Sequence, residues 1–309
     1  MSLQSLTPRI ALLLTLPPLM WAGNAVIGRI AIDHIPPLTL NAARWALALL
    51  LLLPLGWRVL ATPERRAQVA ARWRYFSLIG LLGVGAYNAL QYMALRTSTP
   101  LNVTLIAASM PVGMLVVGGL FFGEKPRPVQ WSGAALSLLG VAVVLGRGEL
   151  ATLLRVQFVI GDLLIFAAML GWAFYGWVLA KPPAHMQGSQ KPDFNWAELL
   201  WLQIAFGWLW ALAFAATGEW IAPSPQPIAW SPLLVAVLLY VAICPSLIAY
   251  RAWGLGVAAV GPTVASFVSN LTPLFAACLS AAVLGEWPQM YHGVAFALIV
   301  AGIGVSSRR

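Results

Sequence analysis

Apolar positions run along this chain in ten long blocks: 9–30, 38–60, 75–94, 100–122, 128–146, 158–180, 196–217, 232–254, 261–284 and 289–306. Polar and charged residues collect in the gaps between them. Each block is about 20 residues long, the length at which a helix rising about 1.5 Å per residue crosses about 30 Å of hydrocarbon. Leu47 to Leu53 is apolar at every position, whereas a barrel strand alternates apolar and polar residues. Only helices and closed barrels satisfy their backbone in lipid. The pattern therefore predicts an all-α integral membrane protein with ten transmembrane helices.

Composition agrees. Of 309 residues, 61% are hydrophobic and 9% charged, and the mean hydropathy is +0.83. A soluble domain carries about 25% charged residues, so lipid must cover this surface. The net charge of +9 does not point to nucleic acid, because the basic residues lie in the gaps and not on one face with interleaved aromatics. Counted alternately, one set of ends holds Arg9, Arg58, Arg65, Arg66, Arg72, Arg74, Lys125, Arg127, Lys181, Lys191, Arg251, Arg308 and Arg309. The other holds Arg96, Arg147 and Arg155. Basic residues favour the cytoplasmic side, so both termini are expected inside, as an even helix count requires. No small-residue cleavage site follows the first block, which reads as a retained helix. Cys244 and Cys278 fall inside apolar blocks and read as small buried hydrophobes.

The chain also matches itself at an offset of 162 residues. Pro100 pairs with Pro262, Pro111 with Pro273, Gly123-Glu124 with Gly285-Glu286, Pro126 with Pro288, Gly140 with Gly302 and Val143 with Val305. A shorter match joins Trp21-Ala22 to Trp172-Ala173. Two repeats follow, 1–150 and 151–309, each with five helices. An odd number inverts the second repeat, which puts Glu124 and Glu286 on opposite sides. Inverted repeats are the architecture of secondary transporters.

With these residues in view, the chain resembles the drug/metabolite transporter superfamily, in its ten-helix EamA-like branch. The resemblance is carried by Trp21-Ala-Gly-Asn24, Arg44-Trp45, the mid-helix Pro111 and Pro273, and the two Gly-Glu-x-Pro corners. It covers nearly the whole chain and is closest in type to aromatic amino-acid exporters. It implies a bacterial inner-membrane protein whose repeats enclose a cavity lined by the first, third, fourth, sixth, eighth and ninth helices.

Polar residues inside apolar blocks are costly unless they face protein or water. Pro17, Trp21, Asn24 and Gly28 form one stripe at helical spacing. Trp172 and Tyr175 repeat the Trp21 and Asn24 positions. Asn88 and Gln91 share a face with Val84, with Tyr87 beside them, and map onto Ser246, Tyr250 and Trp253. Ser266, Ser269, Asn270 and Pro273 share another face. The candidate substrate-binding set is thus Trp21, Asn24, Tyr87, Asn88, Gln91, Trp172, Tyr175, Ser246, Tyr250, Trp253, Ser266 and Asn270. Pro17, Pro111, Pro245 and Pro273 are candidate hinges, since proline frees a carbonyl one turn earlier. The plain alternatives are interfacial or packing rings, interhelical amide bonds and simple kinks. Arg44 lies near one end of its block, where it snorkels to the interface or bonds a neighbouring carbonyl; direct binding of a substrate carboxylate is the other reading.

Aromatic walls with neutral polar groups suit a small neutral or zwitterionic solute, and the expected partners are that solute and the bilayer. Asp162, Glu198, Glu124 and Glu286 all sit at block ends or corners, as do His34, His185 and His292. A proton relay usually uses a buried mid-helix carboxylate, so an uncoupled facilitator is expected. The rivals are a proton-coupled exporter and a nucleotide-sugar or organophosphate antiporter, the latter needing deep basic residues. A His-Glu-x-x-His motif is absent from the sequence, so no enzyme is expected. Neither a cofactor nor a metal is expected, and a monomer suffices.

Overall fold

The computed structural model describes residues 6–31, 34–94, 96–98, 100–155, 157–220, 227–284 and 289–307. Among them the chain is helical, without a strand. In order the helices are Pro8–Ala31 (α1), Pro37–Gly56 (α2), Pro63–Ala71 (α3), Trp73–Gly80 (α4), Ala86–Ala94 (α5), Pro100–Ala108 (α6), Met110–Phe121 (α7) and Pro128–Leu145 (α8). Then come Leu150–Leu154 (α9), Ile160–Ala180 (α10), Trp196–Ala215 (α11), Pro232–Ala242 (α12), Ala249–Val260 (α13), Pro262–Ser269 (α14), Thr272–Leu284 (α15) and Met290–Ser306 (α16). Six described stretches are long and apolar enough to cross a membrane: Pro37–Leu60, Pro128–Leu145, Ile160–Ala180, Trp196–Trp220, Pro232–Val260 and Pro262–Leu279.

Proline sets many of these boundaries. Pro8, Pro37, Pro63, Pro100, Pro128, Pro232 and Pro262 each open a helix, where the missing N–H would have had no partner anyway. Glycine closes others. Gly123, at φ +66°, ends the α7 corner and lets the Glu124 N–H turn back onto Gly118 O at 3.0 Å. Gly261, at φ +85°, turns α13 into α14 within one residue. The matching corner at Gly285, Glu286 and Pro288 lies outside the described residues.

The structure departs from the simple block pattern in instructive ways. Blocks 100–122 and 261–284 are each two helices, interrupted just before Pro111 and Pro273. The two interruptions are built alike. Ser109 N donates to Ile106 O and Leu271 N to Val268 O, both at 3.0 Å, and the Ser109 and Thr272 hydroxyls return to Ile106 O and Ser269 O at 2.6 and 2.7 Å. By contrast α1 runs unbroken through Pro17 and Pro18. Two further blocks widen to a five-residue hydrogen-bond spacing in mid-course, at Leu81–Gly85 and Ile243–Ile248. The gap after the second block holds α3, capped by the Thr62 hydroxyl on Arg65 N at 3.3 Å. The eighth block continues to Val260, so Arg251, expected at a helix end, lies inside α13 with its guanidinium 4.5 Å from the Trp196 ring centre.

The helices pair across the sequence. α1 packs on α13, α14 and α15, while α10 packs on α5, α6 and α7; α2 packs on α11, and α8 on α16. Small residues let the backbones close in. A Cβ added at Gly133 would stand 2.7 Å from Gly302 O, and one at Gly302 would stand 2.7 Å from Gly133 O. The cysteines correct their expectation: Cys278 is exposed and Cys244 half-buried. The outer face of a membrane protein is apolar, so a small hydrophobe need not turn inward.

Gly80, which opens onto the first wide turn, provides a test. A Cβ there would lie 2.6 Å from the backbone nitrogen of Gly207 on α11. Gly80→Ala should cost about 1–3 kcal/mol by overpacking. Gly254→Ala, where nothing lies within 4 Å, should be neutral or gain up to about 1 kcal/mol from helix propensity. Thermal unfolding of the purified variants, followed by size-exclusion chromatography, measures the difference.

Candidate functional site

At the centre, seven aromatic rings from five helices meet. Trp172 of α10 is the hub. Its ring centre lies 5.4 Å from Trp21 of α1, 5.4 Å from Tyr87 of α5, 5.0 Å from Tyr175, and 5.7 and 5.6 Å from Tyr250 and Trp253 of α13. Trp45 of α2 joins through Tyr250 at 5.2 Å. Trp21, Tyr87 and Tyr250 meet Trp172 edge to face, the arrangement that sets the positive edge of one ring on the negative face of another. Rings expected to line a cavity are here in contact with one another.

Polar groups surround this cluster, and the wide turns organise them. Pro245 has no N–H for Val241 O one turn earlier. The Ser246 hydroxyl donates to that carbonyl instead, at 2.7 Å. Ser246 in turn accepts from Arg44 Nε at 2.8 Å, and Arg44 reaches Asn24 Oδ1 at 3.5 Å. Arg44 is 3% exposed, so it does not snorkel; it ties α1, α2 and the wide turn together from inside. Trp21 Nε1 donates to Pro245 O at 3.3 Å, and the Tyr250 hydroxyl donates to Gly83 O. Each wide turn thus presents a carbonyl that takes an aromatic donor from another helix. Gln203 of α11 donates to the Tyr175 hydroxyl at 2.9 Å.

Of the candidate residues, the structure gathers Trp21, Asn24, Tyr87, Trp172, Tyr175, Ser246, Tyr250 and Trp253 in and around this cluster. Asn88 is buried on α5 and Gln91 half-buried beside it. Two others are engaged elsewhere. Asn270 Nδ2 donates to Ser137 of α8 at 2.8 Å, and the Ser266 hydroxyl returns to Thr263 O at 2.6 Å. Sequence reasoning missed Trp45 and Gln203. A polar residue in mid-block, the signal that found Asn88, was present in Gln203, but no repeat partner drew attention to it.

Carboxylates hold the ends of the bundle. Glu219, 7% exposed at the end of the Trp196–Trp220 stretch, accepts from Leu38 N and Thr39 N at 2.8 Å each and from the Thr39 hydroxyl at 2.9 Å. It caps α2 from another helix, where the dipole favours a negative charge. Glu198 accepts from Asn195 N at 2.8 Å and from Arg65 at 3.1 Å. Asp162 accepts from Val159 N at 2.8 Å and from the Ser98 hydroxyl. Glu124 pairs with Lys181 at 2.6 Å, joining the ends of α7 and α10.

A model of the EamA-like transporter family matches residues 8–146 and 159–308. The chain belongs to that family. It is therefore a multi-pass membrane transporter. Relatives span its length. An uncharacterized transporter of Archaeoglobus fulgidus is 27% identical, covering 96% of this chain and 97% of its own. The uncharacterized inner membrane transporter YedA of Escherichia coli K12 is 26% identical, covering 92% and 86%. A solved crystal structure, 21% identical, superposes with a TM-score of 0.74 over 96% of both chains, which is a likeness of fold.

The serine at the wide turn is open to test. Ser246→Ala removes the donor to Val241 O and the acceptor of Arg44. The transporter should lose about 1–3 kcal/mol of stability, read as a lower thermal midpoint in detergent. Ser246→Thr, which keeps the hydroxyl, should recover part of it; an unchanged midpoint in the alanine variant would sink this account of the turn.

Proposed function

We propose that the transporter exports small neutral or zwitterionic metabolites, amino acids with aromatic and other apolar side chains foremost, by alternating access. It does so as an uncoupled facilitator in a bacterial inner membrane, with ten spans in two inverted five-helix repeats and both termini in the cytoplasm. The observation that carries the reading is the Trp172 hub, where rings from residues before and after position 150 meet at the centre of the molecule. An aromatic or apolar side chain can take the place of ring contacts when these rings part, and neutral polar groups stand beside them.

Several features support the inverted repeat. The wide turns begin at Leu81 and Ile243, and the paired helix interruptions fall at Ser109 and Leu271, each pair at the 162-residue offset of the sequence match. The packing exchanges in the same way: α1 sits against the eighth and ninth blocks as α10 sits against the third and fourth. The family model matches in two successive stretches. Two similar gates of opposite orientation can open in turn to either side. YedA is named an inner membrane transporter, which supports the location.

The uncoupled reading is supported by what the buried carboxylates do. Glu219, Glu198 and Asp162 accept backbone N–H groups at helix starts, a structural duty at the ends of helices.

Flux in proteoliposomes tests the proposal, comparing tryptophan, phenylalanine, leucine, alanine and lysine with and without a pH gradient. Saturable flux of the apolar amino acids, indifferent to the gradient, is expected. Trp172→Ala should cut tryptophan and phenylalanine flux about two- to tenfold, since an aromatic pair contributes about 0.5–1.5 kcal/mol, and should affect alanine less. Gradient-dependent flux would overturn the uncoupled mechanism, and no flux of any amino acid would overturn the substrate class.

A further inference from the structure

We infer that the indole N–H of Trp253 is the donor that receives the carboxylate of the substrate, making the site selective for apolar solutes that carry one; the inference rests on the amino-acid reading above. Trp253 lies on α13, 1% exposed, its ring centre 5.9 Å from Trp21 and 5.6 Å from Trp172. Its Nε1 is buried and has no hydrogen-bond partner.

Several neighbouring donors are engaged. Trp21 Nε1 is on Pro245 O, the Tyr250 hydroxyl on Gly83 O, Trp45 Nε1 on Asn41 Oδ1 at 3.0 Å, and Gln203 on Tyr175. Two more unpaired donors, on Asn41 and Trp208, belong to α2 and α11 and lie outside the set of rings around Trp172. Burying an N–H without an acceptor costs free energy, and the great majority of buried donors in folded proteins are paired. A phenylalanine here would supply a ring without that cost. The indole is accounted for by an acceptor that arrives with the ligand.

Chemistry narrows the acceptor. An indole N–H donates and cannot accept, so it reads the carboxylate end of a zwitterion and not the ammonium end. Charge-assisted hydrogen bonds are the stronger class, and a low-dielectric site strengthens them further. The Arg44 guanidinium, bonded to Ser246 on the same helical stripe as Tyr250 and Trp253, adds positive potential. Trp253 also touches rings of both α1 and α10, so parting those helices opens space beside its indole.

The test uses the purified full-length protein in detergent and three probes. These are radiolabelled phenylalanine, 3-phenylpropionate (carboxylate without ammonium) and phenethylamine (ammonium without carboxylate), the latter two as competitors. On the unaltered protein, 3-phenylpropionate should compete well and phenethylamine about tenfold worse or more. Trp253→Phe should weaken phenylalanine and 3-phenylpropionate by about tenfold or more while leaving phenethylamine unchanged. Equal loss for all three, or no loss, overturns the role of Trp253. If the variant does not fold, the unaltered protein decides: phenethylamine binding as tightly as 3-phenylpropionate overturns the inference. Binding of none of the three overturns the amino-acid reading and this inference with it, whereas binding indifferent to the carboxylate overturns the inference alone.

Discussion

Lipid offers no hydrogen bonds, so every backbone group displaced from a helix at membrane depth must find its partner inside the protein. This chain displaces several. Pro111 and Pro273 interrupt two helices, Pro245 leaves Val241 O without its usual donor, and two wide turns shift the ladder by a residue. Some repairs are local: the Ser109 and Thr272 hydroxyls serve carbonyls three residues back. The central ones come from other helices. Trp21 reaches Pro245 O and Tyr250 reaches Gly83 O. The defects of single helices are thus also the bonds that hold the helices in their places.

Those bonds bring rings to the centre, and the rings do the rest of the packing there. Each edge-to-face pair contributes about 0.5–1.5 kcal/mol beyond its area, and Trp172 makes five ring contacts. A hub of this kind resists opening through many small terms and not one large one. The solute proposed above would replace ring contacts with similar ones, so exchange need not leave the centre unfilled.

The ends of the bundle are held differently. Arg65 with Glu198, Lys181 with Glu124, and Arg96 with Glu219 at 3.9 Å are ion pairs with at least one well-exposed or partly exposed member, and such pairs contribute little each. Glu219 on the start of α2 is the exception, because its acceptors meet backbone N–H groups out of water. Strong order at the centre with weak closures at the ends is an arrangement that can change which end is shut.

Much of this was legible in the sequence. The apolar blocks reappear as helical stretches, six of them long and apolar enough to cross a membrane, and Pro111 and Pro273 stand at helix interruptions, because proline acts through its own missing N–H. The stripe of Ser246, Tyr250 and Trp253 and the pairing of Trp21 with Trp172 pointed to rings that the structure brings into contact, since helical spacing is a property of the local chain. The place of Arg44 near a block end suggests the interface, yet the packing of α2 against the wide turn at Ile243–Ile248 buries it. Asn270 carried the same mid-block signal as Asn24 but bonds Ser137, because which neighbour lies opposite a polar residue depends on helix pairing. Periodicity and proline thus determined the helices and most of the faces that turn inward. Only the tertiary structure decided which of those polar groups meet each other and which donor, at Trp253, is left without a partner, because hydrogen bonding is settled at about 3 Å between residues far apart in the chain.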